Sequence, residues 1–324
     1  MPDGIKATCE IENFESWIAK TGLNFKMPIE VDTAEPVIIT STIGNKKKFV
    51  TRLFTSFDTY KLSVIKTEIG SSLSQIETTN YRLFINGSLH KNHYRSAQYP
   101  NGANYQPFTF EQLQSELSYI EEKLCLDLRK LKIQNLEFGV NLPVNFPVMD
   151  YIQKNLFLYK VKLFERWGEK QGVSIGYQCK LSQFSIKIYD KALQFALPDP
   201  LMRFEIRVVR MQKLKKHRIQ YLSDLQNYQK LYGLLNYLLD SWNHVLIHDE
   251  EIDSKDLSAE DRSFLTQCSN PTFWRIQIKN GYTHLSDNRK KFQAIQQRHK
   301  SGLVKEIHQK IHLEWKKLFQ DIPI

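Results

Sequence analysis

Two short segments constrain this chain more than anything else in it: Phe184-Ser-Ile-Lys-Ile-Tyr-Asp-Lys191 and Leu201-Met-Arg-Phe-Glu-Ile-Arg-Val208. Both alternate apolar and polar residues, the period of a β-strand whose side chains point in turn to opposite faces. In the first, Phe184, Ile186 and Ile188 share one face, and Ser185, Lys187, Tyr189 and Lys191 the other. In the second, Phe204, Ile206 and Val208 oppose Arg203, Glu205 and Arg207. Pro198 and Pro200 separate the two strands. Paired in one sheet, they collect a phenol, lysines, a carboxylate and arginines on one face, which is the equipment for attacking a phosphodiester. Two ordinary strands with a solvated outer face carry the same pattern, so the segments alone do not decide the function.

The chain has 324 residues, 41% hydrophobic and 25% charged, a globular profile long enough for one large domain or two ordinary ones. Its net charge of +10 favours a polyanionic partner, and nucleic acid is the leading choice. No apolar run of 18 residues and no signal-peptide core is present, so a soluble cytoplasmic protein with no membrane partner is expected. Cys9, Cys125, Cys179 and Cys268 are scattered, without CxxC or zinc spacing, and read as free thiols.

In chain order, strands are expected over 4–9, 36–42, 48–55, 60–66, 80–89 and 135–142, with a turn at Gly44-Asn45. Residues 90–107 read as a long polar loop, and Thr109 with Gln112 as a helix-opening capping box. Further strands are expected at 156–166 and 173–180. After the basic run Lys213-Leu-Lys-Lys-His-Arg218 the patterning becomes helical, and Val304, Ile307, Ile311, Trp315 and Leu318 form a last apolar stripe. The expected fold is α+β: an antiparallel-rich sheet covered by helices on one face over 1–212, then an all-helical domain over 213–324.

Outward rows from four strands (Asn86, Ser88 and His90; Glu137 and Asn141; Tyr189 and Lys191; Arg203 and Glu205) are expected to converge on the uncovered face. Two carboxylates and an imidazole, Glu137, Glu205 and His90, suit a hard divalent cation such as Mg²⁺ or Mn²⁺. Tyr189 is the candidate nucleophile, with Lys191 to favour its phenolate and Arg203 to hold phosphate. Each residue also has an ordinary reading: His90 as a surface side chain, Glu205 as a member of an ion-pair ladder with its arginine neighbours.

The ordered set Asn86-Gly-Ser-Leu-His-Lys91, Leu136-Glu-Phe-Gly-Val-Asn141, Lys187-Ile-Tyr-Asp-Lys191 and Leu201-Met-Arg-Phe-Glu-Ile-Arg207 resembles the replication initiators of filamentous phages, the gene-two/gene-X type. It also resembles related rolling-circle plasmid and phage initiators, in a variant similar to those of Bacteroidetes-type bacteria. The resemblance spans about residues 80–210, and lacks the histidine–hydrophobe–histidine triplet many such initiators carry. It implies a metal-dependent single-strand endonuclease and strand transferase, in which Tyr189 forms a 5′-phosphotyrosyl link at origin DNA. Glu137, Glu205 and His90 would hold the metal, Lys191 and Arg203 would manage phosphate charge, and host helicase and polymerase would be partners. Lys187 and Arg207, with Arg289, Lys290, Lys291, Arg298 and Lys300 of the C-terminal region, are the candidate DNA contacts. The alternatives are a non-catalytic origin-binding or copy-control protein, and a metal-dependent nuclease or mobilisation relaxase in which a metal-bound water attacks.

Overall fold

The β-branched and aromatic runs of the N-terminal region pair as consecutive antiparallel hairpins, with Gly44 (φ +58°) and Asn45 at the turn the sequence marks. The computed structural model describes residues 1–30, 36–248, 252, 257–298 and 302–319. Its elements run β1 (Pro2–Ile11), α1 (Phe14–Thr21), β2 (Ile38–Ile43), β3 (Lys46–Phe57), β4 (Tyr60–Ser72), β5 (Gln75–Ser88), α2 (Leu89–His93), α3 (Phe110–Leu124) and β6 (Lys132–Pro143). Then come α4 (Val148–Asn155), β7 (Leu156–Tyr159), β8 (Lys162–Leu163), β9 (Glu165–Lys170), β10 (Val173–Lys180), β11 (Phe184–Asp190), α5 (Lys191–Phe195) and β12 (Leu201–Val208). Past two 3₁₀ turns follow α6 (Tyr228–Asn243), β13 (Val245–Ile247), α7 (Ala259–Cys268), α8 (Pro271–Lys279), α9 (Tyr282–Arg298) and α10 (Gly302–Lys317). The α+β class expected from the sequence is the observed one. Among the described residues no helix is long and apolar enough to cross a membrane.

The chain forms two units, and neither follows the division at residue 212 that composition suggests. Met1–Phe138 with Val208–Leu231 make the first; Gly139–Arg207 with Tyr232–Ile324 make the second. The helical C-terminal stretch does not stand alone, because it shares a unit with strands whose apolar faces it covers. Nor is it all helix: β13 pairs antiparallel with β7, Val245 opposite Tyr159.

In the first unit the strand order is β2-β3-β4-β5-β1-β6. Alternation sorts its residues. Leu62, Val64, Leu83, Ile85 and Ala7 are buried, and α3 lies on their side, since Tyr60 of β4 donates to Glu116 Oε1 of α3 at 2.6 Å. Helix α3 starts where the sequence says it should, with Thr109 and Gln112 forming a reciprocal capping box. The opposite face of this sheet, with Arg52, Phe54, Lys61, Arg82 and Asn86, is exposed.

In the second unit the order is β6-β12-β11-β10-β9, beside the small sheet β13-β7-β8. Phe184 packs on Tyr237 and Phe204 on Trp242, ring centroids 6.1 and 5.3 Å apart, so α6 covers the apolar face of β11 and β12. A second core gathers Phe157, Leu158, Leu246, Trp274 and Phe292.

Candidate active site

The polar face of β11 and β12 is not open. Ser185, Lys187 and Tyr189 are as buried as Phe184, Ile186 and Ile188, and Tyr189 is 3% exposed. This corrects the expectation of a solvated catalytic face: β11 is covered on both sides, which period-two patterning cannot show when the second cover meets polar side chains.

Within that enclosure the strand residues meet as their parity requires. Glu205 Oε1 accepts from Lys187 Nζ at 2.8 Å, and Oε2 accepts from Arg203 Nε at 2.8 Å. Tyr189 donates its hydroxyl toward the same Oε2 at 3.4 Å. Arg203 Nη1 also donates to Asn141 Oδ1 at 3.0 Å, which ties β12 to β6. Lys191 is not on the strand. Asp190 ends β11 and caps α5, its Oδ1 accepting from Leu193 N at 2.8 Å; burial raises the Asp190 carboxyl pKa against the pull of those backbone donors. Lys191 thus opens the helix, wholly buried, and its ammonium donates to Gln194 Oε1 at 2.9 Å and Tyr189 Oη at 3.3 Å.

Glycines make room for this packing. Gly176 lies between Trp167 and Tyr189 in one cross-strand row. A Cβ at 176 would stand 2.2 Å from that of Tyr189. Without one, the Trp167 and Tyr189 rings close to 4.9 Å over the gap, and Lys187 Nζ sits 4.7 Å from the Trp167 ring. Gly139 does the same between β6 and β12, where a Cβ would lie 2.3 Å from Phe204 O. Trp167, part-exposed, forms the outer cover of the phenol.

Chemically the arrangement holds a phenol between an ammonium and a carboxylate, with a second ammonium and a guanidinium on that same carboxylate. Such a set can take a proton from the phenol, favour the phenolate and meet phosphate charge. It does not suit Glu205 as a ligand for Mg²⁺ or Mn²⁺, because both its oxygens already accept from cations. Among the described residues no three His, Cys, Asp or Glu side chains are grouped to hold a metal ion. Of the other expected ligands, His90 lies buried in α2 of the first unit, stacked on Phe108 at 4.7 Å. Glu137 is part-exposed on β6 of that unit, where a Cβ on Gly4 would lie 3.0 Å from its carboxylate.

The expected DNA contacts divide. Arg207 is exposed on β12, while Lys187 is consumed by the buried cluster. On α9, Lys291 pairs with Glu260 at 2.8 Å and Arg298 with Asp261 at 3.1 Å, which fastens α9 to α7. Arg289 donates to His244 O at 3.0 Å; Lys290 is exposed; Lys300 lies outside the described residues.

Sequence reasoning missed Trp167, Gly176 and Gln194 as members of the site. One signal was available: a lone glycine inside an alternating strand marks a close approach, and Gly176 is one.

No protein-family model and no curated protein matches the chain. Among solved structures, a rolling circle replication initiator protein from Geobacillus stearothermophilus is similar to 86% of this chain and 95% of its own, at 13% identity and a TM-score of 0.35. A likeness that weak carries no argument about what this chain does.

Proposed function

We propose that this chain nicks and rejoins single-stranded DNA through a Tyr189–5′-phosphate ester, as an initiator of rolling-circle replication. One observation carries the reading: the Tyr189 oxygen sits between the Lys191 ammonium at 3.3 Å and the Glu205 carboxylate at 3.4 Å. Tyr189 Oη attacks the scissile phosphorus and Glu205 accepts the phenolic proton. The P–O3′ bond breaks, and the departing 3′ oxygen takes a proton from water. Lys191 offsets the charge that gathers on the phosphorane, and Arg203 orients Glu205. Attack by a 3′-hydroxyl on the ester reverses the step and restores the tyrosine, so rejoining needs no nucleotide cofactor. Access requires Trp167 to swing off the phenol. Origin DNA, host helicase and polymerase in a bacterial cytoplasm are the partners and setting this activity would have. Glu205 is committed to Lys187 and Arg203 and serves here as base, not as a ligand for a divalent cation.

The burial of Tyr189 favours a second reading, a non-catalytic DNA-binding protein in which the cluster is structural. The two separate on one experiment. A 3′-labelled, random-sequence pool of single-stranded DNA is incubated with the protein, with and without Mn²⁺, then denatured. Label that stays with the protein and is lost in Tyr189→Phe supports nicking; binding without adduct supports the second reading.

A further inference from the structure

The first unit has a feature the nicking chemistry does not use: a wide sheet face on which, among the described residues, no helix lies. The registers of β1, β3, β4 and β5 fix which residues share that face, because directly opposed residues project to the same side. One row runs Lys26, Phe54, Ser63, Phe84 and Thr8. The row on one side of it carries Arg52, Ile65, Arg82 and Glu10, and the row on the other Lys61, Asn86 and Lys6. Phe54 is 43% exposed, a large apolar ring held open to water. Phe84 is part-exposed, two strands from Phe54, about 10 Å along the hydrogen-bonding direction. Between the two rings stands only the small side chain of Ser63. Around them project Lys26, Arg52, Lys61 and Lys6, all exposed. Glu10 is the sole acid in these three rows, and Arg82 already neutralises it at 2.5 Å.

We infer that this face is a platform for single-stranded DNA, with bases stacking on Phe54 and Phe84 and the flanking cations taking the phosphates. The inference rests on the proposed DNA-directed function and gives it a binding surface separate from the Tyr189 cluster. Three features select this occupant. Exposed aromatic rings match unpaired bases, whose π-faces a duplex keeps stacked inside. The cations border the rings on both sides, as a strand that places bases inward and phosphates outward needs. Lys6 Nζ rests 5.6 Å from the Phe84 ring centroid, so the aromatic face already receives a cation that a base can displace toward its own phosphate. A protein partner would find few acids here with which to pair and a broken apolar patch.

The test uses the full chain and a fluorescent dT30 oligonucleotide, with a 30-base-pair duplex as comparator, titrated across a range of salt concentrations. Phe54→Ala and Phe84→Ala are each expected to weaken dT30 binding about tenfold while leaving the melting temperature near wild type. Arg52→Gln and Lys61→Gln are expected to lower the salt slope by about 0.7 for each phosphate that is no longer neutralised. Wild-type dT30 affinity in the Phe54→Ala, Phe84→Ala double variant overturns the platform, as does a loss confined to the duplex. The Tyr189 adduct assay on the same variants keeps the two readings apart. An adduct with unchanged dT30 binding removes the platform and leaves nicking; weakened dT30 binding without any wild-type adduct keeps the platform and removes nicking.

Discussion

Gly176 stands directly across from Tyr189 on the neighbouring strand, so close that a methyl group there would lie 2.2 Å from the tyrosine Cβ. The position of the phenol therefore depends on a residue with no functional group. Gly176→Ala forces β11 away from β10 or turns the Tyr189 ring, and either movement breaks the 3.3 Å approach of Lys191. Adduct formation should fall at least tenfold, with a destabilisation of about 1–3 kcal/mol from overpacking. Denaturant titration and the adduct assay on the same preparation check both.

Trp167 covers the phenol from its partly exposed position on β9. Removing the indole in Trp167→Ala should open Tyr189 to reagents in solution. Nitration by tetranitromethane, mapped by peptide mass spectrometry, is expected at Tyr189 in the variant and not in the wild type. Equal protection in both would place the cover elsewhere.

Glu205 is 2% exposed and holds Lys187 and Arg203 together. Truncating one member of a buried ionic set strands the others, at a cost of about 3–5 kcal/mol. Glu205→Ala should therefore lower stability by that amount in urea as well as abolish nicking. A stable Glu205→Ala protein would show that the cations find other partners.

Glu116 supplies a pH dependence in the first unit. Burial raises its carboxyl pKa above its ordinary 4.5, against the lowering effect of hydrogen bonds from Tyr60 and Asn92. An acid whose folded pKa is raised binds more protons folded than unfolded between the two values, so stability falls as pH rises through that window. Glu116→Gln keeps an oxygen for Tyr60 and Asn92 and removes the buried charge. Its stability should match or exceed wild type at neutral pH and show a flatter profile from pH 4 upward, measured by urea unfolding at each pH.

Much of the secondary structure was legible because its signals are local. The Thr109 capping box and the Gly44-Asn45 turn each lie within a few residues and stand where patterning puts them. Once β11 and β12 are neighbours in the sheet, strand parity puts Tyr189 and Glu205 on one face, where they meet. What patterning missed is of three kinds. Helix α5 hid because Asp190 ends a strand and caps a helix in the same residue, so Lys191 read as one more strand position. Helix α2 hid inside a polar stretch that reads as loop, although Ser88 caps it. The enclosure of the polar face could not be seen at all, since a carboxylate serving buried cations has the same spelling as one serving solvent.

The central claim is that the phenol of residue 189, one of 15 tyrosines, becomes the covalent anchor for DNA. The most direct measurement digests the denaturation-resistant adduct with nuclease and protease and sequences the peptide that carries the residual nucleotide phosphate. Modification on Tyr189 within Ser185-Ile-Lys-Ile-Tyr-Asp190 is the predicted result. Modification on another tyrosine, or no adduct with any single-stranded DNA offered, contradicts the account.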